Sequence, residues 1–143
     1  MEKAIGLDLG SVTLGIAKSD VLGFVHGVET FRFKRNQYDL ARQRVHQIVK
    51  ETEIKEIALG YPLHMSGEKS ERALICEQFK EDLLKEDPTL KITLVDERLT
   101  SVSANYTLSE LGVNHQQRKD SVDRLAACEI LDFYLKRRNA NGY

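Results

Sequence analysis

Tryptophan is missing from this 143-residue chain, and cysteine, proline and methionine occur only twice each. The two cysteines, Cys76 and Cys128, are far apart and lack CxxC spacing, which excludes a disulfide-built scaffold or a zinc ribbon. Both fall in segments of helical pattern, where a reduced, half-buried thiol serves as a small hydrophobe. With no low-complexity or Pro/Gly-rich tract and no internal repeat, nothing marks a linker. One domain over residues 1–143 is therefore expected, long enough to bury a core unaided. No apolar run approaches the ~20 residues of a membrane span. The first fifteen residues lack the basic-then-apolar pattern of a secretory signal, so a cytoplasmic protein without a membrane partner is expected.

Net charge is also scarce, at −1, but it is unevenly laid out. Residues 31–50 carry six Lys/Arg against one Asp/Glu, and residues 51–97 carry six against twelve. A basic block of Arg32, Lys34, Arg35, Arg42 and Arg44 thus precedes an acidic middle. Further basic residues, Arg118, Lys119, Arg124 and the run Lys136, Arg137, Arg138, follow near the end. This pattern permits a phosphate-binding face, although cations on solvated helix faces are the commoner explanation.

What the chain does have is alternation of short strands and amphipathic helices. "KAIGLDLG" and "TLGIAKS" read as two strands joined by a tight turn, and "FVHGVETFRF" as a third with Val25, Val28 and Phe31 among its apolar members. "NQYDLARQRVHQIVKET" sets Tyr38, Ala41, Val45, Ile48 and Val49 at helical spacing. "IKEIALGYP" is a strand, and "SERALICEQFKEDLLKE" a helix with Leu74, Ile75, Phe79, Leu83 and Leu84 on its apolar face. "LKITLVDE" is a fifth strand. A helix from Thr100 to Gly112 and a long one from about Asp120 to Arg138 complete the order. Three adjacent strands followed by βα alternation predict an α/β protein with a five-stranded mixed sheet flanked by helices on both faces.

Acids from three separated segments are set in apolar surroundings. Asp8 ends the first strand just before Gly10; Asp96 and Glu97 end the fifth; Asp123 shares a stripe with Ala127, Ile130 and Tyr134 on the last helix. Each has an ordinary explanation. Asp8 can cap a turn, Asp96 and Glu97 suit a helix N-terminus, and Asp123 can pair with Arg118 or Arg98. Together they point to one end of the sheet. Several half-buried carboxylates are costly unless cations neutralise them, and hard divalent ions prefer such oxygens. Two ions ~4 Å apart can drive phosphodiester hydrolysis. The four histidines show no metal-ligand spacing among His26, His46 and His64, and His115 sits in the polar stretch "NHQQRKDS".

"GLDLGSVTLGIA", "ALGYPLHMSG", "VDERLTS" and "VDRLAACEILDFYL" occur in that order over nearly the whole chain. In these motifs the chain resembles the YqgF/RuvX family of ribonuclease-H-like proteins, described as Holliday-junction-resolvase-like and as pre-16S ribosomal RNA nucleases. The resemblance implies a ribonuclease H-like fold and a metal-binding catalytic triad of Asp8, Glu97 and Asp123. It ranks Asp96 behind Glu97, because neighbouring strand residues face opposite ways. Asp120 and His115 are secondary candidates, the latter for proton transfer. Gly60, Pro62 and Gly67 would shape a loop near the site, and Arg98, Arg118, Lys119 and Arg124 would contact nucleic acid. The chain departs from the family pattern at Thr13, where a basic residue is common, and at Tyr61, where Leu is. The implied function is a Mg²⁺- or Mn²⁺-dependent nuclease, with two ions in the substrate complex, acting on ribosomal RNA precursor. The alternatives are a resolvase of branched DNA, working as a symmetric dimer, and a binding module without catalysis. Either a monomer or a homodimer fits the sequence.

Overall fold

The computed structural model describes residues 2–99 and 115–141, with backbone alone at 99, 115–120 and 141. Five strands form one sheet: β1 (Ile5–Leu9), β2 (Thr13–Ser19), β3 (Val25–Arg32), β4 (Glu56–Tyr61) and β5 (Lys91–Asp96). The spatial order is β3-β2-β1-β4-β5. β1, β2 and β3 are antiparallel neighbours, whereas β4 runs parallel to β1 and β5 parallel to β4. The carboxyl ends of β1, β4 and β5 therefore share one edge. There the chain leaves β1 toward β2 on one side, while β4 arrives on the other. Such divergence opens a crevice in α/β sheets.

Strand alternation divides the side chains into two cores. Ile5, Leu7 and Leu9 of β1 join Leu14, Ile16, Ile57, Leu59 and Ile92 on one face. They pack under α1 (Tyr38–Thr52), through Ala41, Val45, Ile48 and Val49, and α2 (Glu71–Glu86), through Cys76, Phe79 and Leu83. Helix α2 starts at Ser70, whose hydroxyl accepts from the Ala73 amide at 2.9 Å, as an N-cap should. The predicted apolar face of α2 is rotated in one respect. Leu74 is 53% exposed, and Ala73 and Cys76 take the buried positions, because the helix approaches the sheet closely enough to favour small residues there.

The opposite face carries smaller side chains. Gly6, Ala17, Gly27 and Ala58 are register partners across four strands. Upon them lies the C-terminal helix α3 (His115–Asn141), which buries Ala127, Ile130, Leu131, Tyr134 and Leu135. A Cβ on Gly6 would stand 2.6 Å from the Ala127 carbonyl oxygen, and one on Gly15 2.1 Å from that of Asp123. The glycines thus set how closely α3 approaches the sheet. The helix begins before the expected Asp120 and continues past Arg138, to Asn141.

In β3 the register shifts between Ile16 and Ala17, whose partners are Glu29 and Gly27. Val28, one of the strand's apolar members, is the extra residue of this bulge and is 37% exposed. The expected helix from Thr100 to Gly112 lies outside the described residues. Both Cys76 and Cys128 are free thiols. Among the described residues no helix is long and apolar enough to cross a membrane.

Candidate active site

Asp8 lies on the α3 face of β1, two residues beyond Gly6, and is the one β1 residue short of full burial. Its register partner on β2 is Gly15, on which the Asp123 backbone rests. The same glycine that admits α3 therefore brings Asp123 beside Asp8. Glu97 arrives from the other direction. β5 ends at Asp96, and a 3-10 turn (Glu97–Leu99) carries the Glu97 side chain back over β4. A Cβ on Gly60 would come within 2.6 Å of Glu97 Oε1 and 2.7 Å of Ile130 Cδ1; only glycine leaves that space.

The acids act on one another. Burial pushes Asp8 well above the usual carboxylate range, assisted by the charge of Glu97, a hydrogen bond to Glu97 and the charge of Asp123; Arg72 opposes. Burial also raises Glu97, against the hydrogen bond from Asp8 and the charge of Arg72. Burial and mutual charge thus favour a proton shared between Asp8 and Glu97. One oxygen of Asp123, Oδ2, is shut off from solvent. Among the described residues no three metal-ligating side chains already converge on one point. The donor set nevertheless fits a hard divalent ion, because all three groups offer oxygen and each is desolvated or crowded by its neighbours. An ion would replace the shared proton and offset the repulsion.

The remaining predicted residues are placed as follows. Asp96 turns from the triad to Arg98, which holds it through Nη2 at 2.6 Å and Nε at 3.0 Å; this keeps Asp96 below the usual range. Arg98 also donates to the Met65 carbonyl at 3.2 Å. It therefore ties the end of β5 to the 62–70 loop. That loop turns at Gly67, with φ 91°, and ends where Ser70 Oγ donates to the Pro62 carbonyl; Gly60 lies against Glu97, and Gly67 against Arg98. Arg124 donates to Ser121 Oγ at 3.2 Å and covers Gly27. His115, Arg118, Lys119 and Asp120 are on the first turns of α3, and their side chains lie outside the described part. Of the two departures, Thr13 is buried opposite Arg32, and Tyr61 Oη donates to Glu77.

Much of the basic block is consumed internally. Arg42 pairs with Asp82 and Glu86, and Arg44 with Glu29. One cation beside Asp8 and Glu97, Arg72, escaped notice in the sequence because it sits in an acidic stretch. A signal existed: the first turn of a helix that follows a parallel strand lies at the carboxyl end of the sheet, where Arg72 is two residues past the Ser70 cap. Cys76, one turn further on, is held as a thiol, with burial pushing it up to about 12.

A family model described as RuvX, Holliday junction resolvase, matches residues 2–137. A protein of Lachnospira eligens named "Putative pre-16S rRNA nuclease" is 40% identical over 136 residues, covering 94% of this chain and 96% of that one. A protein of the same name from Staphylococcus epidermidis is 36% identical over 134 residues, 93% and 94% of the two chains. Among solved structures, Thermus thermophilus RuvC in complex with a Holliday junction substrate superposes with a TM-score of 0.65 at 11% identity, over 99% of this chain and 98% of that one. The Fowlpox virus resolvase, solved with junction DNA, superposes at 0.52 with 9% identity, over 93% and 98%. The sheet order, the helices on both faces and these matches make the fold ribonuclease H-like, and the chain belongs to the RuvX family.

Proposed function

We propose that this protein is a divalent-metal-dependent nuclease, a single cytoplasmic domain that hydrolyses phosphodiester bonds at the 5′ end of pre-16S ribosomal RNA. The observation that carries the reading is the meeting of Asp8, Glu97 and Asp123, from three separated segments, at the carboxyl edge of the central strands. Asp8 and Glu97 would hold Mg²⁺ or Mn²⁺ between them, and Asp123 would complete the set from α3; the substrate complex would hold two ions. Such ions lower the pKa of a bound water and stabilise the leaving oxygen. The protein's part is to hold three oxygens in a partly dry corner. Gly60 leaves room for Glu97, the α3 contact fixes Asp123, and Arg72 keeps a positive charge beside the pair.

The relatives' name favours a ribosomal RNA precursor, and the family description favours a second reading, a resolvase of four-way DNA junctions. One assay separates them: purified protein with Mg²⁺ or Mn²⁺ on a labelled precursor and on a four-way junction, beside Asp8→Asn. Cutting of the precursor alone by a monomer supports the first reading. Paired cuts in the junction by a dimer support the second. If wild type cuts neither, or Asp8→Asn cuts as well as wild type, both fail and a non-catalytic binding module remains.

A further inference from the structure

The turn that follows Asp8 is gripped from two sides. Arg72 Nη2 donates to the Leu9 carbonyl at 2.9 Å, and its Nη1 donates to Tyr38 Oη at 2.9 Å. Tyr38 Oη donates in turn to Asn36 Oδ1 at 3.2 Å. The Asn36 amide returns to the Ser11 carbonyl at 2.9 Å, from a left-handed backbone position with φ 62° that Asn tolerates. A hydrogen-bonded strap therefore runs Leu9, Arg72, Tyr38, Asn36, Ser11. From outside it, Arg35 Nη1 donates to Ser11 Oγ at 3.2 Å.

A guanidinium carries five N–H donors. The strap uses two of Arg72's, and Ser11 takes one of Arg35's, so both side chains are aimed while most of their donors stay available. Arg35 is exposed and Arg72 half-buried. Carboxylates neutralise Arg42, Arg44, Lys55, Lys69, Arg98 and Arg138. Among the described residues none pairs with Arg35 or Arg72. Arg72 acts on Asp8 and Glu97 only through space, since its own bonds go to a carbonyl and a hydroxyl. Two aimed guanidiniums that flank the Asp8 turn without a direct carboxylate ion pair suit a doubly bonded anion.

We propose that Arg72 and Arg35 form a subsite for a backbone phosphate of the nucleic acid next to the bond being cut, with the strap holding both in place. The subsite deepens the nuclease reading and rests on it for the identity of the anion. It extends the expected nucleic-acid track to the β1–β2 turn and the start of α2.

The test is binding without cleavage, in EDTA, of a labelled four-way DNA junction and a labelled RNA duplex with a single-stranded 5′ extension. Arg35→Gln is expected to weaken binding about tenfold near 0.1 M salt and to lower the slope of log Kd against log salt by about 1. Arg72→Lys keeps the charge and loses the fork, so affinity should fall about tenfold with the slope nearly unchanged. Lys50→Gln, at the far end of α1, should leave both unchanged while removing the same charge as Arg35→Gln. The subsite is overturned if Arg35→Gln and Arg72→Lys both bind like wild type, or if Lys50→Gln weakens binding as much as Arg35→Gln. A wild type that binds with the stated slopes but never cuts with metal sinks the nuclease reading and leaves the subsite standing; one that cuts while the variants bind normally does the reverse.

Discussion

Asp8 is the residue at which fold and proposed chemistry conflict most directly. Its folded pKa is raised by burial and by Glu97, so between the ordinary Asp value of ~3.9 and that raised value the native state binds more protons than the unfolded chain. Stability must fall as pH rises through this window. Asp8→Asn removes the titration. In EDTA at pH 7 the variant is expected to melt roughly 4 °C above wild type, with the gap closing toward pH 4. Millimolar Mg²⁺ should raise wild type more than the variant, because only wild type keeps the full ligand set. Cleavage should drop by about a thousandfold or more in the same variant. A calorimetric scan in which Asp8→Asn is the less stable protein at pH 7 would show that Asp8 is a structural acid instead.

At the scale of elements, two glycines of the sheet decide where two of the three acids stand. Gly60→Ala pushes its Cβ into Glu97 and Ile130, and Gly15→Ala into the backbone of Asp123. The two should behave differently. A carboxylate can swing away, so Gly60→Ala is expected to lose cleavage at least tenfold for about 1–2 kcal/mol of stability. A helix backbone cannot, so Gly15→Ala should cost ~3 kcal/mol or more by urea unfolding. The α2 rotation gives a second check. Leu74→Gln is expected within ~0.5 kcal/mol of wild type, whereas Phe79→Ala, 2% exposed, should cost about 3–5 kcal/mol. The sequence indicated that α2 was amphipathic. It did not indicate that Ala73 and Cys76 would outrank Leu74, because periodicity carries no information on how near the sheet the helix lies.

For the molecule as a whole, the end of the sheet remote from the triad is closed by a network around Glu56. Tyr134 Oη donates to Glu56 at 2.7 Å, Arg138 Nη1 to the same carboxylate at 2.5 Å, and Arg138 Nη2 to the Glu2 carbonyl at 2.9 Å. The network thus joins the start of the chain, β4 and the last turns of α3. Burial raises the Glu56 pKa, but the bonds from Tyr134 and Arg138 outweigh it and hold it below the usual value. Stability from this group is present above the ordinary Glu value of ~4.3 and is lost as pH falls through the lower folded value. Glu56→Gln should therefore cost roughly 1–2 kcal/mol at pH 7 and nearly nothing near pH 2. An equal cost at both pH values would mean that packing, not charge, is what the substitution removes. The same variant should leave cleavage unchanged, since it lies at the far end of the strands from Asp8.

The sequence by itself determined the strand and helix order, the mixed sheet and the candidate acids. Period-2 and period-3.6 patterns are local, and a carboxylate inside "GLDLG" or on the stripe of Asp123, Ala127 and Ile130 contradicts its own surroundings. The "DER" stretch was legible only as a pair, Asp96 and Glu97, of which family likeness preferred the second. Tertiary structure decided what depends on distance between segments. It turned Asp96 to Arg98 and Glu97 to Asp8, spent Arg42 and Arg44 on internal ion pairs, and set Arg72 beside the triad from 64 positions along the chain. A charge has no address until the chain folds around it. The one-dimensional pattern fixes which face a residue joins, and the packing of glycine against helix fixes which residues meet.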